Sequence, residues 1–78
     1  MKELVEYIAR SIVDRPEKVS VSQVDFGTTV NLELQVARPD MGRIIGRQGR
    51  VAQSIRTLVR VAAARNGKRA HLEVIDPH

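Results

Sequence analysis

The sequence predicts an α+β domain in which helices cover one face of a three-stranded sheet. Three patterns predict it: apolar residues at helical spacing near the N-terminus, strict alternation from Val30 to Val36, and a second helical stretch from Arg50 that gives way to another alternating run. With 78 residues, 42% of them hydrophobic, the chain has room for one domain spanning residues 1–78. It contains no cysteine, so its core must hold without disulfides or a thiolate metal site.

Leu4, Val5, Ile8 and Ile12 form the first stripe, with Glu3 and Glu6 near the positive end of the helix they define. That helix is expected over residues 2–14, because Pro16 disfavours helical geometry at Arg15. Val19 and Val21 then alternate with serines before the apolar phase slips to Val24 and Phe26, so a β-bulge near Ser22 or Gln23 is expected. Gly27 supplies a turn, and Val30, Leu32, Leu34 and Val36 alternate with Asn31, Glu33 and Gln35 to complete a hairpin with one buried face. Pro39 stops that strand, Asp40 is expected to cap a short helix over residues 41–45, and Gly46 ends it. From Arg50 the expected buried stripe is Val51, Ile55, Leu58, Val59 and Ala62, with Arg65 in the last turn and a left-handed stop at Asn66 and Gly67. In "RAHLEVID" Ala70, Leu72 and Val74 share one face of a final strand, closed by Pro77.

Charge narrows the partners without naming one. Thirteen Lys and Arg oppose nine Asp and Glu, and no acid occurs between Asp40 and Glu73. Arginine suits phosphate because its planar fork donates two parallel hydrogen bonds. Solubility and surface ion pairing explain the same balance equally well. No apolar run has the length of a membrane span, and the N-terminal apolar pattern carries acids, unlike a signal peptide. The expectation is a mature chain beginning at Met1, in the cytoplasm, with no membrane partner.

The distinctive stretch is "MGRIIGRQGRVAQSIR", residues 41–56. Gly46 and Gly49 permit backbone conformations closed to other residues and let a ligand's backbone approach without meeting a Cβ. Between them Arg47 and Gln48 can donate to phosphate, and the helix starting at Arg50 adds free amides and a positive dipole end. The plainer alternative is that the two glycines only shape a tight helix-to-helix turn.

Within this stretch "IIGRQGRVAQSI" resembles the signature of a KH domain: an apolar pair, Gly-x-x-Gly, and apolar residues two and six positions after the second glycine, here Val51 and Ile55. The element order resembles the bacterial type II KH arrangement, and the chain as a whole resembles the KhpA family of small single-KH proteins. That resemblance implies an RNA-binding protein, an RNA chaperone or post-transcriptional regulator, whose loop clamps the backbone of about four single-stranded nucleotides. It also implies a larger KhpB-type partner that joins a KH domain to a second nucleic-acid-binding domain, and in several bacteria a link to cell elongation, shape and envelope homeostasis.

On this reading Gly46, Arg47, Gln48 and Gly49 clamp the backbone, and Arg43 and Arg50 flank the loop. Ile44, Ile45 and Val51 are candidates for an apolar floor under the bases, although Ile45 fits the core equally well. The second strand is expected to supply the groove's edge over Leu34 to Arg38, with Arg38 on phosphate. Gly42 is assigned to close helix packing. Arg56 and Arg60 fall on a solvated face, roughly 9 and 15 Å along the helix from Arg50. Val61 and Ala63 border that face as an apolar edge for a homodimer.

Other functions find less support. His71 sits mid-strand, His78 ends the chain, and no pair of acids has spacing suited to acid–base catalysis. No metal-ligand pattern occurs, and "GRIIGRQG" lacks the Gly-Lys-Ser/Thr ending of a P-loop, so no enzymatic activity, cofactor or metal is expected. A DNA-binding helix-turn-helix reading on Gln53, Arg56 and Arg60 conflicts with the flanking strands and the short first helix. A protein-interaction module with an incidental basic face remains open. Tyr7 and Phe26 are the sole Phe, Tyr or Trp residues, so nucleic-acid binding is expected to rely on backbone and aliphatic contacts, with weak sequence selectivity and strong salt dependence. Changing both Gly46→Asp and Gly49→Asp is expected to abolish binding while the fold persists.

Overall fold

The computed structural model describes residues 1–76. Pro77, expected to close the last strand, and His78 lie outside the described residues. The order is α1 (Lys2–Ile12), β1 (Ser20–Phe26), β2 (Thr29–Gln35), α2 (Met41–Ile45), α3 (Arg50–Arg65) and β3 (Arg69–Ile75), with short 3-10 turns at Pro16–Lys18, Arg38–Asp40 and Arg47–Gly49. The strands form one sheet in the order β1-β2-β3, β1 antiparallel and β3 parallel to β2. This is the α+β arrangement of a type II KH-like domain, and it agrees with the expected architecture.

The core lies between the helices and one face of the sheet. Val30, Leu32, Leu34, Ala70 and Leu72 rise from β2 and β3 to meet Val5 and Ala9 of α1, Ile44 of α2, and Ile55, Val59 and Ala63 of α3. The other sheet face, carrying Asn31, Glu33, His71 and Glu73, is open.

Four local expectations are corrected. Pairing of β1 with β2 is continuous from Ser20↔Gln35 to Phe26↔Thr29, so there is no bulge. The apolar phase slips because Gln23 and Asp25 occupy the helix-side face at the margin of the core, where Gln23 accepts a 3.0 Å bond from the Lys2 amide that begins α1. Val24 and Phe26 lie on the open face, 50% and 64% exposed. Second, Asp40 does not cap α2: its buried carboxylate accepts 3.1 Å bonds from the amides of Asp14 and Arg15, fixing the chain where it leaves α1. Third, α1 ends at Ile12, and its C-terminal amide, Val13 N–H, bonds to Ala9 O. Fourth, the buried stripe of α3 is Ala52, Ile55, Val59 and Ala63, while Leu58 is 53% exposed.

The turns follow their residues. Gly27 takes φ +58° in the two-residue connection between β1 and β2, as tight hairpin turns demand. The end of α3 is a Schellman closure: Gly67, at φ +68°, donates to Ala64 O at 3.0 Å, and Lys68 N–H donates to Ala63 O at 2.9 Å. Arg69 N–H then bonds Thr28 O at 2.8 Å, joining the start of β3 to the hairpin turn.

Candidate nucleic-acid interface

The loop at residues 46–49 holds three of the five positive-φ residues among the described residues. Gly46 has φ +75° and ψ 178°, a combination essentially confined to glycine. A Cβ there would sit 2.8 Å from Val51 Cβ, 2.9 Å from Val51 N and closer still to Val51 Cγ2. Gly46 therefore lets α2 and the first turn of α3 approach each other. Its N–H closes α2 on Gly42 O at 2.8 Å, and Gly49 N–H returns to Gly46 O at 3.2 Å.

Gln48 has φ +57° and ψ 26°, and it is the sole non-glycine with positive φ among the described residues. Left-handed backbone costs a residue with a Cβ about 1–2 kcal/mol, and such strain concentrates at functional sites. Gly49 is left-handed too, at φ +76°, but a Cβ there would meet nothing within 4 Å. Its outer side is open for something to approach. Arg47, Gln48 and Arg50 are exposed, and none forms an ion pair among the described residues.

The structure sorts the remaining candidates. Ile44 is 0% exposed, part of the core, so it supports the loop from beneath and offers no surface to a base. Ile45 is 40% exposed and Val51 half-buried, which resolves Ile45 away from a wholly core role. Arg43 is not brought to the loop, because its guanidinium is held 3.1 Å from the Asp14 carboxylate near the end of α1. Arg38 is exposed on the turn leading into α2. Gly42 is exposed with nothing within 4 Å of a Cβ, so close packing is not the reason for its missing side chain, and nothing in the chain accounts for it.

The groove's strand edge also differs from expectation. β2 is central and bonded on both sides, and Leu34 and Val36 are buried, so β2 cannot supply a free edge. The edge beside α3 belongs to β3, where Arg56 Nε donates to Leu72 O at 3.2 Å and Arg56 Nη1 lies 3.3 Å from Gln53 Oε1. Arg56, expected on a solvated face, is half-buried and bonded to the strand. The same contact weakens the helix-turn-helix reading, since Arg56 does not project freely. Ala63, expected on an apolar border with Val61, is in the core, whereas Val61 is exposed beside Leu58.

Among the described residues no group of three or more His, Asp or Glu could hold a metal ion, and no helix is long and apolar enough to cross a membrane.

Comparison with known proteins places this geometry in a family. The sequence model of the KhpA/KhpB KH domain matches residues 2–74. RNA-binding protein KhpA of Clostridium perfringens is 51% identical over 75 residues, covering 96% of this chain and 100% of the relative. Its counterpart in Chlamydia pneumoniae is 46% identical over 76 residues, 97% of each. Among solved structures, Aquifex aeolicus Era bound to GDP.AlF4- aligns with a TM-score of 0.68 over 94% of this chain at 19% identity. This chain spans only 28% of that one, and the likeness speaks for the fold alone. By both the family match and the full-length relatives, the chain belongs to the KhpA/KhpB KH-domain family.

Proposed function

We propose that this protein is a single KH domain, residues 1–78, that binds single-stranded RNA by gripping the sugar-phosphate backbone at residues 46–49. The observation that carries this reading is the left-handed Gln48, a strained residue displayed between two glycines on an exposed turn. Arg47, Gln48 and Arg50 donate to phosphate oxygens, and the first-turn amides of α3 add to the same positive field. The open side of Gly49 admits the RNA backbone. Ile45 and Val51 provide the apolar surface against which bases lie, and Arg38 a more distant cation. The name RNA-binding protein, carried by the full-length relatives, agrees with this chemistry.

A four-nucleotide grip without aromatic stacking is weak on its own, so the protein acts as an RNA chaperone or post-transcriptional regulator together with a second RNA-binding protein. The joint KhpA/KhpB family makes a KhpB-type protein the partner of choice. Exposed Leu58 and Val61 on α3 offer a surface for a homodimer. A cytoplasmic location and a role in cell shape and envelope homeostasis complete the reading.

The test is RNA affinity of an Arg47→Asp, Gln48→Asp double variant. Both side chains are exposed, so the fold is retained and affinity is expected to fall at least about tenfold, from two lost charge-assisted contacts and added repulsion. Unchanged affinity in the folded variant overturns the clamp. Gly46→Asp, proposed from sequence alone, is the poorer probe because its Cβ drives into Val51 and mixes a folding defect with a binding one.

A further inference from the structure

At the far end of α3 from the loop, Arg60, Lys68 and Arg69 gather around a hollow of about 300 Å³, lined also by Ala64, Ala70 and His71. All three cations are exposed, and none is ion-paired among the described residues, in contrast to Arg10 with Glu6 and Arg43 with Asp14. Like charges collected around a concavity without counterions repel one another, and an anion bound there relieves the repulsion. The acids on the adjoining strands, Glu33 and Glu73, stand side by side on the open sheet face, and neither lies within ion-pair distance of the three cations.

The hollow is connected to the loop by one strip of α3. Gln53, Arg56, Arg60 and Ala64 fall within about 80° of one another around the helix, and Arg56 fixes the direction of that strip by its bond to Leu72 O on the edge strand β3. The strip begins one turn beyond Arg50 and ends in the hollow. Arg50 to Arg60 spans about 15 Å of helix, the length of roughly four stacked nucleotides of one strand. The imidazole of His71, the one aromatic side chain lining the hollow, makes no hydrogen bond among the described residues and presents a ring on which a base can stack.

We propose that this hollow is a second subsite for the same RNA strand, with phosphates held by Arg60, Lys68 and Arg69 and a base against His71. The inference rests on the reading of residues 46–49 as the RNA clamp. It extends the recognised segment from about four nucleotides to about eight or nine. A hexamer reaches the clamp but not the hollow, and a dodecamer reaches both.

The experiment measures the affinity of the full chain for randomised-sequence single-stranded RNA hexamers and dodecamers. Four proteins are compared: wild type, the hollow variant Arg60→Gln with Lys68→Gln and Arg69→Gln, a control with the same charge loss at exposed Lys2→Gln, Arg15→Gln and Lys18→Gln, and the loop variant Arg47→Asp with Gln48→Asp. Circular dichroism establishes folding of each. The hollow variant is expected to keep hexamer affinity within about twofold and to lose about tenfold on the dodecamer, with the dodecamer's salt slope reduced by about 2, the value for three phosphates on single strands. The control is expected to leave the difference between the two lengths unchanged. The second subsite is overturned if the hollow variant matches wild type on the dodecamer, as it would if the hollow served an acidic protein, or if it loses both lengths equally, or if the control reproduces its loss. Failure of the clamp reads differently: the loop variant then retains the hexamer.

Discussion

Gly46 and Gly49 occupy equivalent places in the Gly-x-x-Gly spacing yet answer to different physical demands. At Gly46 both the backbone angles and the approach of Val51 exclude a side chain. Gly46→Ala is therefore expected to destabilise the fold by about 2–3 kcal/mol, from a glycine-only conformation plus a collision with backbone as well as side chain. Gly49→Ala meets no atom, so its cost is limited to left-handed strain of about 1 kcal/mol. Urea unfolding of the two single variants measures the difference; equal costs contradict the packing role of Gly46. The spacing of the two glycines was legible in the sequence, because it needs only the identity of residues 46–49. Their division of labour was not, since it depends on where Val51 sits once α3 has docked. Gly42 shows the opposite failure: a glycine in a helix read as close packing has open space beside it.

At the scale of elements, Asp40 decides how two helices separated in sequence by the whole β1–β2 hairpin are held together. Its carboxylate takes the amides of Asp14 and Arg15, while the Asp14 carboxylate in turn takes Arg43 of α2. Asp40→Ala leaves two amides without their acceptor in a part-buried place, and a loss of about 3 kcal/mol in denaturant unfolding is expected. Arg43→Ala, which removes only an exposed ion pair, is expected to cost less than about 1 kcal/mol. A helix cap at Asp40 was the natural sequence reading because capping partners are local, whereas these partners are 25 and 26 residues away. The stripe of α3 failed for a related reason. Two apolar stripes, one through Leu58 and one through Ala52 and Ala63, share Ile55 and Val59 at the helix centre, and the larger leucine makes the first the more apolar in sequence. Packing against the sheet chose the alanines, which allow close approach. Ile55→Ala is accordingly expected to cost about 3 kcal/mol and Leu58→Ala about 0.5 kcal/mol, a contrast that thermal unfolding resolves. Where each residue's environment is set within its own element, reading succeeded: the alternation of β2, the stop at Gly46 and the Gly67 closure all stand as expected.

For the molecule as a whole, the question is how so small a domain with so few aromatics holds an RNA strand. Its exposed apolar groups near the loop are aliphatic, and Tyr7 and Phe26 belong to α1 and β1, outside the loop element. Affinity then rests on cations, and its salt dependence counts them. The loop presents Arg47 and Arg50 without acidic partners among the described residues, enough to neutralise about two phosphates of a single strand, which gives a slope of log affinity against log salt of about −1.4. A tenfold rise in salt is expected to weaken hexamer binding about 25-fold. Duplex DNA is expected to bind more weakly than single-stranded RNA at every salt concentration, because α3 carries Arg56 against β3 where a groove-reading helix would project it. Anisotropy titrations of an RNA hexamer and a DNA duplex over a salt series measure both quantities. A duplex preference, or a slope near zero for RNA, contradicts a phosphate grip at residues 46–49 and favours a surface whose cations serve a protein partner.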